Sequence, residues 1–214
     1  MILFIRIISI SVLLGGLVPV VVGLARYRFL DVLKRWILAL MLCSFTASIL
    51  QFVLAMQSIP NLFISHFYVM VEFVLLAYIY KPTLKPYIPN VVFGVINIGF
   101  ICFSLLNAFY IQGLKANNSY QRTLEAVIVI VWIMMYFYKT MKELKVQRIE
   151  REPLFLFSGG AFIFFAGTIF IYIFSNYLLQ YSVKLAVATW AAHAFFLILF
   201  YFSVAIALWI NPKK

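Results

Sequence analysis

Seven long apolar runs separated by short polar stretches fill most of the chain: Leu3 to Leu24, Leu33 to Met56, Leu62 to Tyr80, Pro89 to Ile111, Tyr120 to Met141, Pro153 to Leu179 and Leu185 to Ile210. Apolar residues run on continuously within each stretch, where the strands of a membrane barrel would alternate. A helix crossing a bilayer takes roughly 20 mostly apolar residues, which is about the length of every run. The stretches between them carry loop punctuation: Ser58-Ile59-Pro60-Asn61, Lys81-Pro82-Thr83, Gly113 to Ser119, and a charged run from Lys139 to Pro153. The pattern predicts an all-α membrane protein, a bundle of seven transmembrane helices forming one polytopic domain over residues 1–214.

Composition agrees. Of 214 residues, 66% are hydrophobic and 11% charged, and the mean hydropathy is +1.07. No soluble domain of this size presents such a balance to water. The net charge of +11 would point to nucleic acid in a soluble protein, but here its distribution matters more than its sum, and no nucleic-acid partner is expected. The connections after the first, third and fifth helices, with the tail, hold Arg26, Arg28, Lys34, Arg35, Lys81, Lys85, Lys139, Lys142, Lys145, Arg148, Arg151, Lys213 and Lys214. The opposite side holds Arg6, Lys115, Arg122 and Lys184. The positive-inside rule then predicts the N-terminus outside and the C-terminus in the cytoplasm. Tyr78, Tyr80, Tyr136 and Tyr138 close the third and fifth helices at the same interface, where amphipathic rings prefer to sit. The first run has its basic flank after the apolar stretch, so it is expected to anchor the protein and to escape removal as a signal peptide.

Small residues mark packing faces: Ser9, Gly16 and Gly23 with Pro19 in the first helix, and Gly159, Gly160 and Gly167 in the sixth. A hinge at Pro19 or at Gly159-Gly160 is the alternative role. Cys43 and Cys102 stand alone inside predicted helices, without metal-site spacing, and read as small apolar residues.

Chemistry has to be sought in the few polar groups that the helices carry. An ionisable side chain at mid-membrane costs roughly 2.5 to 3.5 kcal/mol on insertion scales, so each needs a partner or a watery cavity. The candidates are Arg6, His66, Glu72, Glu125 and His193, with Gln51, Asn97, Asn107 and Asn176 as uncharged companions. Most fall toward the outer ends of their helices, which predicts a polar cavity opening outward. Tyr68 and Glu72 share one face of the third helix with Ser65, Leu76 and Ile79. Glu72 is the leading functional candidate and His193, one turn from Trp190, the second. The purely structural alternative pairs Arg6 with Glu125, and Glu72 with His193 or Tyr68.

No cofactor or metal is expected. His66 and His193 lie at unmatched depths for haem, and Lys184 sits too near the helix mouth for a retinal Schiff base. Neither HExxH nor GxSxG occurs, so the chain is not expected to be an enzyme. Asn117-Asn118-Ser119 forms a glycosylation sequon, a common chance match.

The string from Asn61 through His66, Tyr68, Glu72 and Phe73, an N-x(4)-H-x-Y-x(3)-E-F pattern, resembles the third-helix signature of uncharacterised bacterial seven-helix membrane proteins associated with sensor histidine kinases. Asn118-Ser119, Pro153 and the Trp190 region are similar to the same pattern, so the resemblance covers most of the chain. It implies a bacterial cytoplasmic (inner) membrane and a role in signalling, and marks His66, Tyr68, Glu72, Asn118 and Trp190. The Gly159-Gly160 segment with Phe164-Phe165 is less polar than that family's sixth helix.

Three functions follow as expectations. The first is a membrane-embedded sensor or signalling partner that binds a small or lipophilic ligand in the outward cavity through Glu72, His193, His66, Tyr68, Trp190, Arg6, Glu125 and Asn107. Besides the lipid bilayer, a cytoplasmic or membrane protein partner would dock on Lys139 to Arg151, although positive-inside topology alone also calls for those charges. The second is a small secondary transporter or channel using Glu72 as its coupling carboxylate. The third is an accessory subunit of a larger membrane complex.

Overall fold

The computed structural model describes residues 2–143 and 148–210. Lys145, Lys213 and Lys214, which entered the charge count, and positions 144–147 of the basic run from Lys139 to Arg151 lie outside the described residues. Among those described there is no strand, and seven helices are long and apolar enough to cross a membrane. They are α1 (Ile2–Ala25), α2 (Val32–Met56), α3 (Leu62–Leu84), α4 (Asn90–Leu106), α5 (Ser119–Glu143), α6 (Pro153–Tyr181) and α7 (Val183–Trp209). At about 1.5 Å per residue, 23 or more residues exceed the roughly 30 Å of hydrocarbon to be crossed. The shorter α4 gains length from a π-helical turn, Asn107–Ile111, closed where Gly113 turns the chain at φ +77°.

Local chemistry sets the helix ends. Asp31 caps α2 by accepting from the Lys34 amide at 2.9 Å, Ser182 caps α7 through the Leu185 amide, and Pro153 opens α6 where no amide hydrogen is needed. The Asn61 amide nitrogen donates to the Gln51 carbonyl at 2.8 Å, tying the start of α3 to the end of α2.

Packing follows a ring: α1 lies on α2, α2 on α3, α3 on α5, α5 on α6, α6 on α7, and α7 on α1. Helix α4 stands outside this ring against α3 and α5. The predicted packing faces of α1 and α6 are in contact at Gly16, Gly23, Gly160 and Gly167. Gly16 lies against the Tyr201 ring of α7 and Phe45 of α2, Gly160 against Ser203, and Gly167 against Phe196. Gly159 faces open space.

Two hydroxyl pairs cross the interior, Ser44 with Tyr201 at 3.1 Å between α2 and α7, and Tyr80 with Ser158 at 3.0 Å between α3 and α6. Between α3, α4 and α5 the core is aromatic: Phe73 stacks on Phe100 with centroids 3.9 Å apart, and Trp132 touches Phe73, Phe93 and Tyr80. One end of the bundle carries the N-terminus and the α2–α3, α4–α5 and α6–α7 connections. It is called the N-face below, and the opposite end the C-face.

Candidate functional site

Toward the N-face, α5 enters the bundle at Ser119 and places Arg122, Gln121 and Glu125 within its first two turns. Arg122 Nη1 donates to Glu72 Oε2 of α3, and to Glu125 Oε2 at 3.2 Å on its own helix. One guanidinium thus holds two carboxylates and ties α3 to α5. Glu125 is fully buried and Glu72 nearly so, while the Arg122 side chain keeps 14% of its surface exposed. Tyr68 and Tyr172 flank the guanidinium, with ring centroids 5.3 and 5.8 Å from its carbon. A cation set against aromatic faces gains attraction where water is excluded.

Tyr172 extends the cluster to α7 by sharing a 3.0 Å hydrogen bond with His193 Nε2. Phe164, Tyr172 and Trp190 meet the His193 ring edge-on, at centroid distances of 5.5, 5.6 and 5.2 Å. Helices α3, α5, α6 and α7 all contribute to this one centre.

The connection between α4 and α5 covers the N-face side. His66 Nε2 lies 3.1 Å from the Ala116 carbonyl, and because a carbonyl only accepts, Nε2 carries a proton. Asn118 grips Ser65, accepting from its hydroxyl and donating to its carbonyl. Gln121 donates to the His66 carbonyl at 3.0 Å, Asn176 of α6 to the Asn117 carbonyl, and Asn107 to Gln112. The Asn117 side-chain nitrogen is itself buried, so the sequon is built into this packing and does not present its amide to solvent.

Glu72, Glu125, Tyr68, His193 and Trp190 therefore converge, with His66 and Asn107 in the covering layer above. Arg6 does not join them. It is exposed on α1, and the partner expected of it is replaced, since Glu125 pairs with Arg122. Glu72 likewise pairs with Arg122, and His193 with Tyr172. Sequence reasoning counted Arg122 among the loop charges and passed over Tyr172 and Gln121. The three-residue spacing of Arg122 and Glu125 on one helix is the signal that could have found the pair. Aromatic and amide side chains surround the centre on the side where the outward-opening polar cavity was predicted.

A cleft of about 190 Å3 lies at the C-face. Thr83 from the end of α3, Tyr136, Lys139, Thr140 and Glu143 from α5, and Glu152 and Leu154 at the start of α6 line it. Lys139 Nζ donates to the Thr83 carbonyl at 2.8 Å. Burial pushes the Glu152 carboxyl up from its ordinary value, the negative charge of Asp31 adds to the rise, and Lys34 opposes it. Lys34, buried at the start of α2, donates to the Ile210 carbonyl at the end of α7.

Seven apolar helices around a buried ionic centre define a multi-pass membrane protein of the helical-bundle class. Comparisons with family models, with curated proteins and with solved structures find no match for this chain.

Proposed function

We propose that this chain is a membrane-embedded sensor or signalling partner in a bacterial cytoplasmic membrane, with its N-face outside and its C-face in the cytoplasm. A small or lipophilic ligand engages the Arg122–Glu72–Glu125 centre and its aromatic wall, and the response is delivered at the C-face. The observation that carries this reading is that α3 and α5, joined by Arg122 near one face, also frame the cleft at the other. Glu72 lies about 16 Å along α3 from Thr83, and Arg122 about 25 Å along α5 from Lys139, at 1.5 Å per residue. Any change in how α3 and α5 are held at the centre is thus carried by two continuous helices to the cleft. The spread of Lys and Arg supports the orientation, and the third-helix resemblance supports the signalling role.

Native purification with identification of co-purifying proteins supplies the partner. Correctly inserted Glu72→Gln and His193→Ala proteins are then compared with the parent for association and downstream output. Both are expected to fall, and unchanged association and output in both variants would sink the proposal.

One observation favours a second reading, a secondary transporter: a single guanidinium faces two carboxylates, a common setting for ion coupling inside membranes. Solute flux into proteoliposomes, abolished by Glu72→Gln, would select that reading over a sensor.

A further inference from the structure

Polar atoms without partners collect in one corner of the bundle, where α3, α4 and α5 meet beneath the N-face. Glu125 Oε1, Gln121 Oε1, His66 Nδ1, Asn107 Oδ1 and Ser104 Oγ are buried and have no hydrogen-bond partner among the described residues, and all five residues are fully buried. The amide oxygens of Gln121 and Asn107 are acceptors outright; Glu125 Oε1 is one when the carboxylate is ionised, His66 Nδ1 when the ring is neutral, and the hydroxyl of Ser104 can be one. A buried acceptor left alone costs on the order of 1 to 3 kcal/mol, so a cluster of them needs a common explanation.

Charge narrows what satisfies them. Glu72 and Glu125 with Arg122 carry a formal charge of −1 when both carboxylates are ionised, and uncompensated charge is expensive inside a membrane. Arg122 occupies Glu125 Oε2, which leaves Oε1 for another positive group. Gln121 stands one helical turn before Glu125 on the same face of α5, and its nitrogen is spent on the His66 carbonyl, so it offers only oxygen. The requirement is for one small positive charge that accepts oxygen lone pairs.

We propose that this corner binds a single monovalent cation, held by Glu125 Oε1 and Gln121 Oε1, with His66 Nδ1 and Asn107 Oδ1 around it, either directly or through bound water. The cation neutralises the centre and fastens α5 to α3 beside the Arg122 bridge. It deepens the functional reading above by supplying an ion for the same centre, but it is tested by binding and not by output.

The full-length protein, purified into lipid nanodiscs, is unfolded by heat in buffers where choline chloride is replaced by sodium, potassium or ammonium chloride at constant ionic strength. Intrinsic tryptophan fluorescence, with the buried Trp132 as reporter, gives the midpoint. The midpoint is expected to rise saturably with at least one of the three small cations but not with choline. Glu125→Gln is expected to make it independent of the salt, and Gln121→Ala to raise the half-saturating concentration roughly tenfold.

Equal midpoints in choline and all three salts overturn the site, as does a salt dependence that persists in Glu125→Gln. Should Glu125→Gln fail to fold, an unchanged half-saturating concentration in Gln121→Ala overturns it. Loss of the site on these grounds leaves the signalling proposal standing, and an output-silent protein that still binds the cation overturns the signalling proposal alone.

Discussion

At the scale of single residues, Arg122 is the keystone, because removing it strands two buried carboxylates. Breaking a buried pair from one side costs about 3 to 5 kcal/mol, and the 14% exposure of this side chain puts Arg122→Ala near the low end, at roughly 3 kcal/mol. Chemical or thermal unfolding in nanodiscs measures the loss. Replacing Arg122, Glu72 and Glu125 together by apolar residues of similar volume is expected to recover most of it, since no unpaired charge then remains. At the other face, Glu152 holds its proton more tightly folded than unfolded. Folding stability from this group is therefore expected to fall as pH rises above the ordinary carboxylate value toward the raised folded one. Glu152→Gln should flatten that slope, and an unaltered slope would remove Glu152 as its source. The residues of the centre were only half legible. Glu72, Tyr68, Glu125 and His193 stood out as polar groups in apolar runs, and they do meet. Arg122 escaped because it sits where run and loop join, and a charge at such a border reads as topology. Tyr172 escaped because a tyrosine in an apolar helix gives no sign of what its hydroxyl meets.

At the scale of helices, the contrast between Gly159 and Gly160 tests how α6 packs. A methyl group added at Gly160 would lie 2.5 Å from Ser203 Cβ, an atom fixed to the α7 backbone, so α6 and α7 must separate. Gly160→Ala is expected to cost roughly 1 to 3 kcal/mol, as overpacking usually does. Gly159→Ala meets open space and is expected to stay within about 0.5 kcal/mol of the parent. Thermal midpoints of the two variants decide it; equal losses would mean that α6 is rotated from the packing described. The helices themselves were readable to within a few residues because lipid demands an uninterrupted apolar run of fixed length, and Pro, Asn, Ser and charge end it. Their arrangement was not. Nothing in the spacing of apolar residues says that α4 stands outside a ring closed by α3 against α5, because in a chain solvated by lipid every helix face is apolar whether it meets lipid or a neighbour. Only the small residues, Gly16, Gly23, Gly160 and Gly167, betrayed which faces are in contact.

At the scale of the whole molecule, orientation rests on charge, and the fold puts the exposed Lys115 and Lys85 at opposite ends, the first in the connection before α5 and the second just after α3. That separation permits a direct test. With Cys43 and Cys102, both free thiols, replaced by alanine, a single thiol is introduced by Lys115→Cys or by Lys85→Cys and treated in intact cells with a membrane-impermeant maleimide. The positive-inside bias predicts immediate labelling of the Lys115→Cys protein, and labelling of the Lys85→Cys protein only after the membrane is breached. The reverse result would turn the molecule over, placing the ionic centre toward the cytoplasm and the Lys139–Glu152 cleft outside. A sensor of external ligands would then lose its basis, because the covering layer formed by residues 112–118 would face the wrong compartment.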